Sequence, residues 1–575
     1  MRVHRSAVRI GPVLRSTVIT VVVLMALTAG ASSSATMASL PGGSKQLARA
    51  PYLTDVTPSS VRMTWATTKN NTGVVKYGTV GHCTAKSVTA KTSGTKFTVK
   101  GVTEYKISVR VTGLSAGTAY CYRITTGGTA RVDLLGSNPS PSFATPQPPD
   151  GTQPFSFDVF GDWGDTSSGA QAAVDQQIAR SGAQFALSTG DVAYPYGTAT
   201  NYGDLIHTGA NVSAVFGPSY WAVPGQSLPM FTALGNHGQN ATFLSTWPEP
   251  AVAGASGGVN AMRWYPSIDG TKGKSYPTAY YAFTVGGVRF YVLDASWDNG
   301  NIGHATGVYQ VDRDAHWKTS SVEYRWLAKD LAAHPGGLKF AFFHFPLYSD
   351  TAGEPSDTYL DSPRGNSGGT GTLEQLLHAG GVQLVFNGHA HVYERNIAVP
   401  GGVTSYVTGG GGGAVSPIGV RGCSTTDAYG VGWYSDKNKG TACGAAAPPG
   451  SPAQVYHYLK VSVDGTTVTV TPTDSRGSTF DIHTYDFAAD SNPPSAPGGL
   501  TATAAGSGAT RLAWTAASDN IGVSAYDIYR DGSYLATVGP NVTSYTVNTP
   551  AGTGHLYEVT ARDLAGNTAG ATVTS

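Results

Sequence analysis

Seven side chains in this sequence are of the types from which a metal site is built: Asp162, Asp191, Tyr194, Asn236, His344, His389 and His391. They come from five separated segments, and each segment follows an apolar run. A lone Asp after Gly is usually a turn, and a lone His is usually a core or surface residue. As a set they point elsewhere. Carboxylate, amide, phenolate and imidazole are hard-to-borderline ligands that suit iron, zinc and manganese. Covalent chemistry has no comparable support, because Ser349 lacks a paired base in the sequence pattern. The run Gly409 to Gly413 lacks a following Lys-Ser/Thr. It is therefore no nucleotide P-loop, and a tight backbone turn is expected there.

These residues must be delivered by strand ends. Phe155 to Phe160 reads as a strand running into Gly161-Asp162, followed by a helical stretch from Gly169 to Arg180. Phe185 to Ser188 is a second strand, ending in Gly190-Asp191, so the segment forms a β-α-β unit. Tyr280 to Val285 and Val288 to Leu293 flank Gly286-Gly287 as a hairpin. Ser321 to His334 carries Val322, Trp326, Leu327 and Leu331 at helical spacing. Leu338 to Phe343 runs into His344, and Val382 to Phe386 into Asn387-Gly388-His389. Ligand-type residues at the carboxyl ends of mixed strands and helices predict an α/β sandwich over residues 150–487.

Short alternating runs precede this region, among them Val61 to Trp65, Val74 to Tyr77, Tyr105 to Val111 and Tyr120 to Ile124. They predict a β-sandwich over residues 45–147, with Trp65 as core filler. Leu114 to Tyr122 resembles the tyrosine-corner strand of fibronectin type III domains. Thr145 to Gln153, with three prolines, reads as a linker. Residues 488–499 read as a second linker. Residues 500–575, with Trp514, Tyr526, Tyr529 and Tyr557, resemble the fibronectin type III modules of secreted bacterial hydrolases. Such a module could touch a polysaccharide or another surface.

Gly161-Asp162-Trp163-Gly164, Gly190-Asp191-Val192-Ala193-Tyr194, Gly235-Asn236-His237, Phe343-His344 and Gly388-His389-Ala390-His391 stand in the order of the purple acid phosphatase motifs. The middle region resembles that family, a branch of the calcineurin-like metallophosphoesterases. Tyr393-Glu394-Arg395, the hairpin ending at Asp294 and the helix around Tyr324 to Leu327 fit the same pattern. The resemblance spans roughly Pro51 to Phe487. It implies that Asp162, Tyr194 and His391 hold a ferric ion. Asn236, His344 and His389 would hold a divalent zinc, manganese or iron, and Asp191 would bridge the two. Two aspartates and a tyrosinate offset three of the five charges of such a pair, leaving a positive site for a phosphate dianion. The implied reaction is in-line attack of metal-bound hydroxide on a phosphomonoester, an acid phosphatase activity. Tyr194 marks this branch, through a charge-transfer band with ferric iron.

The resemblance makes His237 the substrate-orienting residue and proton donor; the bland alternative is a histidine bonded to backbone. The sequence departs from the family pattern at Gly238, where an acidic residue is usual, and at Phe345, where His or Arg is common. The leaving-group acid therefore has no clear motif. His207, His304 and His316 are the other histidines considered, each more readily a surface residue. Asp165 and Trp163 are expected to shape the rim. Substrate specificity would lie in the loops Asn201 to Gln226, Asn240 to Lys274 and Asp350 to Thr372.

Composition bounds the remainder. The 575 residues are 40% hydrophobic with 10 Trp, 30 Tyr and 18 Phe, enough to bury large cores. Lys+Arg 37 against Asp+Glu 36 leaves +1, which gives no electrostatic footprint for nucleic acid. Residues 1–31 read as a signal peptide, with basic Arg2 to Arg15, an apolar Val18 to Ala31 and an Ala29-Gly30-Ala31 cleavage site. No later stretch is long enough to span a bilayer, so a secreted protein off the membrane is expected. Cys83, Cys121, Cys423 and Cys443 fit export as two local disulfides. The enzyme alternative is a phosphodiesterase or nucleotidase on the same metals. The non-enzyme alternative is a cell-surface binding protein on a retired phosphatase fold, which the seven retained ligand types disfavour.

Overall fold

The computed structural model describes residues 42–165, 169–207, 215–217, 225–238, 241–248, 256–257, 261–265, 274–295, 317, 319–351, 373–506 and 508–575. The expected signal peptide, His304, His316 and most of the three candidate specificity loops lie outside the described residues. No described helix is long and apolar enough to cross a membrane.

Two large sheets stack through a phenylalanine core. The first contains the parallel strands Phe155–Phe160, Phe185–Ser188 and Met230–Thr232. The second contains the parallel strands Val288–Val292, Lys339–Phe343, Leu384–Asn387 and Thr404–Thr408. Their facing sides are almost continuously apolar, as strands covered on both sides must be. Phe157 meets Phe290 at a ring separation of 5.1 Å, and Phe342 stacks on Phe386 at 5.1 Å. All four rings are fully buried. Helix Gln171–Ile178 covers the outer face of the first sheet through Val174 and Ile178. Helices Val322–Ala333 and Leu373–Ala379 cover the second through Leu327, Leu331 and Leu377. This is the expected α/β sandwich.

The amino-terminal strands do not stay apart from it. Leu47–Thr57 pairs in parallel with Met230–Thr232, Thr54 opposite Met230. One ten-stranded sheet therefore runs from His483–Asp486 through Phe155–Phe160, Phe185–Ser188 and Met230–Thr232 to Thr95–Val99. The second amino-terminal sheet holds Lys86–Thr89, Gly73–Thr79, Ala119–Thr126 and Ser142–Ala144. Trp65 is fully buried between the layers. The Tyr120 hydroxyl accepts from the Ser115 backbone N–H at 2.8 Å, the contact of a tyrosine corner. The Pro-rich stretch expected as a linker is packed instead: Thr145 is fully buried, and Gln147 donates to the Gln153 carbonyl at 2.7 Å and accepts its N–H at 3.0 Å. The buried amide replaces the water that a free tether would use.

The carboxyl-terminal module has its own sheets, of three and four strands, and its own core around Trp514, Tyr526, Ile528, Tyr557 and Val559. Arg562 reaches the Ala398 carbonyl at 2.5 Å. Disulfides join Cys83 to Cys121 and Cys423 to Cys443, the two local pairings.

Candidate metal centre

All seven ligand-type residues follow the carboxyl ends of parallel strands or, for Tyr194 and His391, the loops leaving them. Three adopt the left-handed conformation: Asp162 at φ 56°, Asp191 at φ 49° and His389 at φ 68°. Such φ values are uncommon outside glycine and are retained where the surroundings enforce them. Each reversal turns the side chain back across the strand ends. A Cβ on Gly388 would sit 2.5 Å from Asp162 Oδ2, so only glycine lets the two loops approach.

The side chains converge in two groups. In the first, the Tyr194 hydroxyl donates to Asp162 Oδ1 at 3.1 Å and lies 3.0 Å from His391 Nε2. His391 Nε2 is 3.2 Å from the same Asp162 oxygen. In the second, Asn236 Oδ1 is 2.7 Å from His344 Nε2 and 3.1 Å from His389 Nδ1. Asp191 lies between them, with Oδ2 3.3 Å from His344 Nε2 and its charge acting on Tyr194. Ligand atoms of Asp162, Asp191 and His344 fall within 4.8 Å of one another.

Backbone groups aim these atoms. The His389 N–H donates to Asp162 Oδ2 at 2.8 Å, leaving Oδ1 to face Tyr194 and His391. The His237 N–H donates to Asp191 Oδ1 at 2.7 Å, leaving Oδ2 to face His344. His344 Nδ1 is 3.0 Å from the Thr189 carbonyl, and His391 Nδ1 is 2.7 Å from that of Ala414. A ring N–H bonded to a carbonyl fixes the tautomer and leaves the other nitrogen as a ligand atom.

The electrostatics follow from burial. Burial raises the Asp191 carboxyl, but His344 and His237 outweigh it and hold it well below the usual range. Burial pushes the Tyr194 phenol up, and Asp162 and Asp191 push it further. Burial lowers His391, yet Asp162 more than compensates and lifts it to about 9. His344 is raised the same way, burial opposing and Asp191 prevailing. Without cations these groups share protons; a bound cation would take the protons' place.

The donor set fits metal binding. Ligands ~2.1 Å from an octahedral ion and at right angles to each other lie about 3.0 Å apart. The separations within both groups, 2.7 to 3.2 Å, match that spacing. Asn236 Nδ2 is buried without an acceptor, so its amide turns Oδ1 inward at a cost that a ligand role explains.

Two family models match this chain. "Calcineurin-like phosphoesterase" covers residues 155–393, and "Purple acid Phosphatase, N-terminal domain" covers residues 50–145. The chain contains a calcineurin-like phosphoesterase domain preceded by a purple acid phosphatase N-terminal domain. Purple acid phosphatase 15 of Arabidopsis thaliana is 31% identical over 147 residues, covering 24% of this chain and 23% of that protein. Chitinase C of Streptomyces lividans is 46% identical over 76 residues, 13% of this chain and 12% of that protein. Matches of the chitinase type fit the fibronectin type III-like carboxyl-terminal module. The chain spans less than a quarter of the length of these curated relatives. A solved purple acid phosphatase, PPD1 from yellow lupin, shows 15% identity and a TM-score of 0.49, covering 76% of this chain and 73% of that one.

The candidate site also contains parts that residue types did not announce. The glycine run, expected as a tight turn, is a brace. Gly411 donates to the Gly161 carbonyl at 3.0 Å and Gly413 to that of Asp162 at 2.7 Å. A Cβ on Gly413 would sit 2.6 Å from His391 Cε1. Trp163, expected at the rim, is fully buried and donates from Nε1 to Asp175 Oδ1 at 3.1 Å. Its ring is large and apolar, and burial with one polar partner is the cheaper arrangement. Phe345 is also buried, its ring 4.4 Å from that of His389. His207 pairs with buried Asp204 at 2.8 Å. The His237 ring packs at a tilt on Tyr194, 4.5 Å between centroids, with Nδ1 2.8 Å from the Pro195 carbonyl.

Proposed function

We propose that this phosphoesterase is a secreted, two-metal acid phosphatase acting on small phosphomonoesters. Asp162, Tyr194 and His391 would hold ferric iron. Asn236, His344 and His389 would hold zinc, manganese or iron in the divalent state, with Asp191 shared. The observation that carries this reading is the pair of three-atom groups flanking Asp191. When bound, the two cations supply Lewis acidity toward phosphoryl oxygens and lower the pKa of water.

The chain's own residues do the rest. His344 and His391 keep their tautomers because Thr189 and Ala414 hold Nδ1. His237 is partly exposed, and its Nδ1 is held by Pro195. Nε2 is thereby the nitrogen left for substrate, and in the doubly protonated ring it would donate to the phosphoryl group and protonate the departing oxygen. Phe345 excludes water beside His389 and has no proton to give. The two disulfides support an oxidising compartment. The carboxyl-terminal module, which is similar to segments of the chitinase-type relatives, would contact a polysaccharide or surface.

The test is a comparison of p-nitrophenyl phosphate with its bis ester on protein of measured metal content. Faster monoester hydrolysis in acid is expected. Preference for the diester would make the protein a phosphodiesterase. Loss of all hydrolysis at full metal content would favour a binding protein.

A further inference from the structure

A second convergence of oxygen ligands lies outside the seven-residue centre. Strand Tyr393–Asn396 leaves the His391 loop and alternates its faces. Tyr393 and Arg395 turn to one side, where both bond Asp481, at 2.6 Å and 2.7–2.8 Å. Glu394 and Asn396 turn to the other side and are buried. The neighbouring strand Asp427–Tyr434 carries a register shift between Arg395 and Asn396, which sets Asp427 opposite Asn396. Directly opposite residues share a face at close range. The segment following His344 supplies Asp350: its N–H donates to Glu394 Oε2 at 3.3 Å, and its Oδ2 accepts from the Ser424 N–H.

Asp427 is the decisive member. It is 6% exposed, its carboxyl faces those of Glu394 and Asp350, and neither of its oxygens has a hydrogen-bond donor. Asn396 Oδ1, on a residue 1% exposed, has none either. The basic residue of this strand, Arg395, is committed to Asp481 on the opposite face. Unpaired charge at such depth is costly, and burial together with mutual repulsion pushes both Glu394 and Asp427 upward. To satisfy both Asp427 oxygens with protons, two of the three carboxyls would have to stay neutral. One divalent cation does the same with a single occupant. The donors are all oxygens, three carboxylates and an amide, which is the chemistry that calcium selects over the softer metals.

We propose that Asp350, Glu394, Asn396 and Asp427 bind a hard divalent cation, calcium, at a site distinct from the catalytic centre. The ion would clamp the segment after His344 to the strand after His391, joining two loops that carry candidate ligands.

Equilibrium dialysis of the full chain against ⁴⁵Ca²⁺ tests this. Wild type is expected to bind one equivalent more than Asp427→Asn, and calcium is expected to raise the melting temperature of wild type only. Asp191→Ala is expected to keep that equivalent, which separates this site from the proposed catalytic one. Calcium held elsewhere on the chain survives Asp427→Asn and cancels in the difference. Equal stoichiometry in wild type and Asp427→Asn overturns the proposal, as does loss of the equivalent in Asp191→Ala. So does an Asp427→Asn chain more stable than wild type with and without calcium, since the cluster would then hold protons. Should Asp427→Asn fail to fold, Glu394→Gln carries the same comparison.

Discussion

The two halves of the proposed metal centre are built from different chemistry on one scaffold. Asp162, Tyr194 and His391 bring two groups that become anions, and Tyr194 and His391 are partly exposed. Asn236, His344 and His389 bring neutral ligands only, all buried. A more highly charged cation is better matched by the anionic half, and a divalent ion by the neutral half. Among the described residues, the exposed side is that of Tyr194, where His237 packs at a tilt, while His344 and Asp191 form the floor. An asymmetric centre can therefore arise without asymmetric strands, because each half hangs from equivalent strand ends.

The comparison can be broken most severely at the shared residue. Asp191→Ala should empty both halves and lower activity by on the order of 10³-fold or more, read by metal analysis and initial rates. Full retention of two metals would remove Asp191 from its bridging role. His237→Ala should leave metal content unchanged and reduce kcat by ~10²-fold. A change in metal content instead would make His237 a structural histidine. Gly413→Ala should press on His391 and on the Asp162 carbonyl and cost ~10- to 100-fold in affinity for the first metal, leaving the Asn236 half loaded. Equal losses from both halves would show that the glycine brace serves the whole centre.

The smallest effect lies behind the anionic half, at Asp175 under Trp163. Burial pushes this carboxyl to about 8 against the opposing Trp163 N–H. Its unfolded value is about 3.9. The raised folded value means its stabilising protonation is complete below about pH 4 and is lost as pH rises through about 8. Asp175→Asn should flatten the fall in melting temperature across that window by a few degrees, with little effect on metal content. An unchanged slope would assign the pH dependence to other buried acids, such as Asp158, which is also raised to about 8.

How far the sequence reaches can be judged from particular residues. Gly-Asp, Gly-Asn and Gly-His behind apolar runs are legible because a strand end with a tight reversal demands that order. The seven side chains meet because those strands are parallel neighbours with their carboxyl ends together. The carbonyls of Thr189, Ala414 and Pro195 were not legible, since every residue has a carbonyl and only the fold aims it. Trp163 was misplaced at the rim because its partner, Asp175, is a helix residue whose inward face needs the tertiary packing to be seen. Pairing of Thr54 with Met230 left no local trace either, so the first sandwich read as separate when one of its sheets continues the catalytic one.

The central claim is that two cations sit side by side in unlike halves, one of them on a phenolate. Metal analysis of freshly purified wild type and Tyr194→Phe, taken with their visible spectra, tests it most directly. The account predicts two metals other than calcium per wild-type chain, one of them iron, and a visible band that Tyr194→Phe abolishes while the divalent ion stays. A single metal other than calcium per chain, or a visible band that survives Tyr194→Phe, would contradict it.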